Sequence, residues 1–191
     1  MDKQNGIRHI LTQHKVIPVV TFSDINQIDP VVEHLLSKDI RCIEITLRNE
    51  NSRRAVPIVK NKFANQMAVG VGTVLNEDDV HFCESNHVDF IVSPGSPSYL
   101  LKLLDNTTIP FLPGVSSIND IMNTMEFGLD TLKFFPAELS GGLKMLKQFN
   151  GLFSHVKFCP TGGINELNYQ DYLALENVLS VGGSWVVENK R

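Results

Sequence analysis

Asp130-Thr131-Leu132-Lys133-Phe134-Phe135-Pro136-Ala137-Glu138 is an apolar strand pattern with one lysine in its middle. A side-chain period of two puts Thr131, Lys133 and Phe135 on one face and Leu132 and Phe134 on the other, so the lysine shares a surface with an aromatic ring. Lysine is rarely buried without a reason. In a water-poor place its charged form loses stabilisation, and the amine is then freer to attack a carbonyl, as a Schiff-base nucleophile must. The competing reading is a strand-end lysine whose stem packs while its ammonium reaches water.

Outward from this stretch, strand-like and helical patterns alternate. Val16–Thr21, Arg41–Thr46, Met67–Thr73, Asp89–Val92, Ile109–Leu112, Thr131–Phe135, Val156–Cys159 and Val178–Val181 read as strands. Helical spacing predicts helices over 7–14, 26–37, 52–63, a stretch opened by Asn76, 98–104, 118–127, 142–148 and 167–175. Eight strands alternating with helices predict a parallel sheet covered by helices, as a (β/α)8 TIM barrel requires. A doubly wound open sheet is the runner-up, but no Gly-x-Gly-x-x-Gly turn follows the first strand.

The chain of 191 residues is 42% hydrophobic and shows no composition break, which predicts one domain over 1–191. Its 17 basic and 21 acidic residues, net charge −4, are spread along the chain, arguing against a nucleic-acid surface and for small-molecule partners. Apolar runs are far short of a membrane span and no secretory pattern opens the chain, so a cytoplasmic protein is expected. Cys42, Cys83 and Cys159 suit neither a disulfide framework nor a zinc site, and read as reduced, partly buried thiols.

Turn residues cluster just after the strands: Gly72-Thr73, Ser93-Pro94-Gly95, Pro113-Gly114, Pro136, Thr161-Gly162-Gly163 and Gly182-Gly183-Ser184. In a barrel this is the rim that carries the site, although any single βα loop needs such residues anyway. Paired glycines at the ends of the last two strands allow backbone N–H groups to approach a phosphate. In the second strand, Ile43, Ile45 and Leu47 would face the helices, leaving Cys42, Glu44 and Thr46 toward the interior. Glu44 therefore points where Lys133 points. The pair reads either as nucleophile and proton shuttle or as a buried ion pair that keeps the lysine charged until substrate arrives, and Arg48 at the rim suits a carboxylate.

Glu44-Ile45-Thr46-Leu47-Arg48, Gly72-Thr73-Val74-Leu75, Ser93-Pro94-Gly95, Lys133–Glu138, Phe158–Ile164 and Gly182-Gly183-Ser184-Trp185, taken together, closely resemble the 2-keto-3-deoxy-6-phosphogluconate (KDPG) and 4-hydroxy-2-oxoglutarate (KHG) aldolases, from about residue 7 to residue 187. The resemblance implies a class I aldolase on a (β/α)8 barrel, usually a homotrimer, with no cofactor and no metal. Lys133 would form the Schiff base and Glu44 act as general acid and base. Arg48 and Thr73 would bind the substrate carboxylate, Pro94 and Phe135 line the pyruvyl pocket, and Thr161, Gly162, Gly163 and Ser184 hold the far, phosphorylated end. Where such aldolases continue with a further helix, this chain ends at Arg191, so the final C-terminal helix is expected to be missing.

Two other classes compete. A non-catalytic sensor of phosphorylated metabolites would keep the glycine turns but not Glu44 and Lys133 together. A sugar-phosphate isomerase or epimerase would need a paired acid and base rather than a lysine nucleophile. The six histidines read as surface or structural residues.

Overall fold

The structure, a computed structural model, describes residues 3–187. Its elements in order are α1 (Lys3–Gln13), β1 (Val16–Val20), a 3-10 turn (Ile25–Gln27), α2 (Ile28–Ser37), β2 (Cys42–Thr46), α3 (Glu50–Phe63), β3 (Ala68–Gly72), α4 (Glu77–Ser85), β4 (Phe90–Val92), α5 (Ser98–Asn106), β5 (Phe111–Leu112), β6 (Gly114–Val115), α6 (Ile118–Met125), β7 (Thr131–Phe134), α7 (Gly142–Leu152), β8 (Lys157–Pro160), α8 (Tyr169–Leu173) and β9 (Val181–Gly183). All pairings are parallel. One sheet runs β5-β4-β3-β2-β1-β9 and a second β6-β7-β8, an α/β fold.

Side chains sort by strand parity into two cores. Ile43 and Ile45 of β2 and Leu132 and Phe134 of β7 join the larger cluster beneath the helices. Ile17, Cys42, Phe90, Val92, Leu112 and Cys159 form a separate cluster with Ile7 and Leu11 of α1. The N-terminal helix is held over this inner cluster by polar ties to the start of β7. Gln4 Oε1 accepts from Asp130 N and Thr131 N at 3.1 and 2.9 Å, and Arg8 pairs with Asp130 at 2.7 Å. With one end occupied, the C-terminal ends of the strands are left to carry a site.

The expected fifth strand is two. Pro113 has no N–H, and its carbonyl accepts from Lys133 N at 2.8 Å, while Leu112 O accepts from Ser93 N at 3.3 Å. Residues 111–112 therefore serve β4 and residues 114–115 serve β7, giving nine short strands among the described residues rather than eight. The last strand also lies later than expected. Val178 makes only an isolated bridge to Phe158, whereas Val181, Gly182 and Gly183 pair with Val16, Ile17 and Pro18. Glycine is a poor strand former, so sequence favoured Val178–Val181; pairing with β1 selects the glycines instead. Helix α8 is shorter than the expected 167–175. The expected loss of a final helix concerns residues from 188 onward, which lie outside the described residues; residues 185–187 form turns.

Cys42, Cys83 and Cys159 are free and completely buried, not partly so. Burial pushes the Cys83 and Cys159 thiols up to about 12. Among the described residues, no helix is long and apolar enough to cross a membrane.

Helix α7 is fastened by aromatic packing. Phe149 meets Phe134 of β7 edge-on at 5.5 Å and stacks on Phe158 of β8 at 5.6 Å, all three fully buried. Phe149→Ala should lower unfolding stability by about 3–5 kcal/mol, read as a shifted urea midpoint, because it removes the ring shared by both strands.

Candidate active site

The centre is the pair expected on strand parity. Lys133 Nζ lies 3.0 Å from Glu44 Oε1 and 3.3 Å from Oε2, and the two residues are only 6% and 3% exposed. Adjacent strands set this geometry: Glu44 pairs with Val19 and Gly70, and Lys133 with Gly114 and Cys159. A Cβ on Gly72 would stand 2.1 Å from Glu44 Oε1, so the carboxylate occupies space that only glycine leaves. The ammonium also sits 5.4 Å from the centre of the Phe135 ring, a cation–π distance.

The buried ion pair is thus the resting arrangement. A carboxylate oxygen at hydrogen-bond distance from Nζ is also a chemically competent acceptor for its proton.

Beside this pair opens a cavity of about 620 Å³. Of the residues singled out from sequence, Arg48, Phe135, Thr161, Gly162, Gly163 and Ser184 line it. Glu44 and Lys133 are not among its lining residues, and Phe135 links them to it. Thr73 and Pro94 stand on the rims after β3 and β4, outside that cavity. Thr73 is half-buried and holds φ 62°, a costly backbone state for a β-branched residue. Arg48 is exposed and makes no ion pair among the described residues.

The turn after β8 has its carbonyls engaged on one side. Thr161 O accepts from Ala137 N at 2.8 Å and Gly162 O from Glu138 N at 3.1 Å. Gly163 O accepts from the Nδ2 groups of Asn165 and Asn168 at 3.3 and 3.2 Å. In a trans peptide C=O and N–H point oppositely, so the N–H groups of Gly162, Gly163 and Ile164 turn away from those partners. None of the three has an acceptor among the described residues, and all three residues line the cavity. With φ of 101° and 79°, Gly162 and Gly163 form a concave run of donors suited to an anion. Thr161 Oγ1 is buried against Gly182, without a hydrogen-bond partner.

Sequence reading missed the first βα loop. Thr21, Asn26, Gln27 and Val31 also line the cavity, and Thr21 Oγ1 lies 2.6 Å from Thr46 Oγ1. Asp24-x-x-Gln27 forms a capping box that was legible as a helix start, but nothing local said that this loop would face the glycine turn. None of the six histidines lines the cavity.

Residues 7–191 match the protein family described as "Aldolase: KDPG and KHG aldolase". The KHG/KDPG aldolase of Escherichia coli K12 is 42% identical over 178 residues, 93% of this chain and 83% of that protein. The Legionella pneumophila KDPG aldolase, solved with pyruvate captured at low pH as a covalent carbinolamine intermediate, superposes with a TM-score of 0.92 at 38% identity, covering 96% of this chain and 88% of that one. The Zymomonas mobilis ZM4 2-keto-3-deoxy-6-phosphogluconate aldolase, solved with 3-phosphoglycerate, gives 0.93 at 37% identity, covering 98% and 89%.

Lys133→Ala should cost about 3–5 kcal/mol in urea unfolding, because it strands Glu44 as an uncompensated buried charge. Lys133→Met combined with Glu44→Leu should recover most of that loss while abolishing activity, since it removes both charges at similar volume.

Proposed function

The chain belongs to the KDPG and KHG aldolase family, and from that premise we infer that it is a carbon–carbon lyase of class I, working through a Schiff base. It cleaves 2-keto-3-deoxy-6-phosphogluconate to pyruvate and glyceraldehyde 3-phosphate, a step of the Entner-Doudoroff pathway, and by the same chemistry 4-hydroxy-2-oxoglutarate to pyruvate and glyoxylate. The observation that carries this reading is the buried 3.0 Å contact between Lys133 Nζ and Glu44 Oε1.

Lys133 is the nucleophile in our proposal. Glu44 accepts a proton from its ammonium, the freed amine adds to the C2 ketone, and Glu44 returns that proton to the carbinolamine hydroxyl, which leaves as water while the iminium forms and the carboxylate is regenerated. The iminium is the electron sink for breaking C3–C4 as Glu44 takes the C4 hydroxyl proton. The aldehyde departs, the enamine is protonated at C3, and hydrolysis returns pyruvate and Lys133. Arg48 and Thr73 would hold the substrate carboxylate, with Pro94 and Phe135 around the pyruvyl part. Thr161, Gly162, Gly163 and Ser184 would seat the phosphate; the N–H groups of Gly162, Gly163 and Ile164, without an acceptor among the described residues, support that assignment.

We further propose that both sheets are arcs of one (β/α)8 barrel forming a single domain over 1–191. Continuity through Pro113 supports one seam and the Thr161–Gly182 bridge the other. Assembly as a homotrimer in the cytoplasm completes the proposal, and light scattering with fractionation tests it.

Borohydride with pyruvate should fix a covalent adduct on Lys133, seen by mass spectrometry; an adduct persisting in Lys133→Ala would remove this lysine from the mechanism. Glu44→Gln should retain some trapping and lose about 10²- to 10⁴-fold in turnover. Ser184→Ala should lower kcat/KM about ten- to a hundredfold on the phosphorylated substrate and much less on 4-hydroxy-2-oxoglutarate. Equal losses on both would assign Ser184 to packing or the shared chemistry.

A further inference from the structure

Tyr172 lies in α8, fully buried, and takes no part in the chemistry above. Its hydroxyl donates to Glu138 Oε1, the only hydrogen bond made by that carboxylate among the described residues. Glu138 is otherwise exposed, in the segment that follows β7. Its backbone N–H holds Gly162 O, and its side chain lies across Gly163, where a Cβ would come within 2.5 Å of Glu138 Cγ. On its other side, a Cβ on Gly142 would meet Tyr172 Oη at 2.8 Å and Glu138 Oε1 at 3.2 Å. Two glycines with positive φ, Gly163 after β8 and Gly142 at the start of α7, thus enclose the tyrosine–glutamate contact.

We propose that Tyr172 is a positioning residue for phosphate selectivity: through Glu138 it holds the Gly162–Gly163 turn in its donor-presenting shape and keeps a carboxylate from swinging toward the bound dianion. This rests on the assignment of the turn as the phosphate seat. Two physical effects act together. Without the tyrosine hydroxyl, Glu138 loses its tether and gains rotamer freedom, so the side chain lying on Gly163 no longer defines the turn. The released carboxylate is also a full negative charge on a residue whose backbone touches the seat, and a like charge costs a dianion most. The Lys133–Glu44 pair, set by the ladders of β7 and β2, is untouched. The consequence is a split between substrates sharing the same bond cleavage.

The test compares kcat and KM for 2-keto-3-deoxy-6-phosphogluconate and 4-hydroxy-2-oxoglutarate in wild type, Tyr172→Phe, Glu138→Ala and Glu138→Gln. Tyr172→Phe should raise KM about tenfold for the phosphorylated substrate, the scale of one lost hydrogen bond to a charged group, and Glu138→Ala, which frees the turn but removes the repelling charge, should raise it severalfold. They should leave kcat and the borohydride-trapped pyruvate adduct near wild type, and 4-hydroxy-2-oxoglutarate unaffected. Glu138→Gln keeps a carbonyl acceptor for the tyrosine and carries no charge, so its selectivity should stay near wild type. Equal losses on both substrates, or none, in Tyr172→Phe and Glu138→Ala overturn the proposal while the phosphate seat stands by the Ser184→Ala result. Should Tyr172→Phe fail to fold, the two Glu138 variants decide alone. A wild type with no preference for the phosphorylated substrate overturns both readings.

Discussion

The structure turns on one buried ion pair. Placing an ammonium and a carboxylate where each is almost wholly shielded from water costs several kcal/mol of desolvation per ion, which their attraction offsets only when the contact is close. The 3.0 and 3.3 Å distances meet that condition, and they require β2 and β7, in separate sheets, to aim side chains at one point. An apolar pair of similar volume would serve stability as well or better. Retaining the charges fits the proposed chemistry, in which the site frees an amine and moves protons without bulk water.

Parallel strands make that aim possible. Because side chains alternate, β2 sends Ile43 and Ile45 outward to the helices while Cys42, Glu44 and Thr46 face the other way. The inner cluster around Cys42, Phe90, Leu112 and Cys159, closed by Ile7 and Leu11, supports the pair with apolar bulk. Cys159, in register with Lys133, contributes as a packed thiol: its burial holds the proton on sulfur far above neutral pH.

The second constraint is the accounting of backbone carbonyls after β8. With three consecutive carbonyls engaged by Ala137, Glu138 and two asparagine amides, three consecutive N–H groups are left without an acceptor among the described residues, on residues that line the cavity. Donors without an acceptor beside a buried charged centre fit the proposed function, which needs a carbonyl reaction at the lysine and anion recognition at the far end.

Much was legible in the chain itself. Alternation of apolar residues placed Lys133, Phe135 and Glu44 on interior faces, and the turn residues marked the strand ends, because both follow from local periodicity and backbone sterics that any short segment carries with it. The division of residues 111–115 between two partners, the choice of Val181–Gly183 over Val178–Val181, the approach of Thr21 and Gln27 to the glycine turn, and the Tyr172–Glu138 contact were decided only by tertiary structure. Each depends on which distant segment supplies a hydrogen-bond partner or a wall. A local pattern records what a residue offers, and only the assembled strands determine what accepts it.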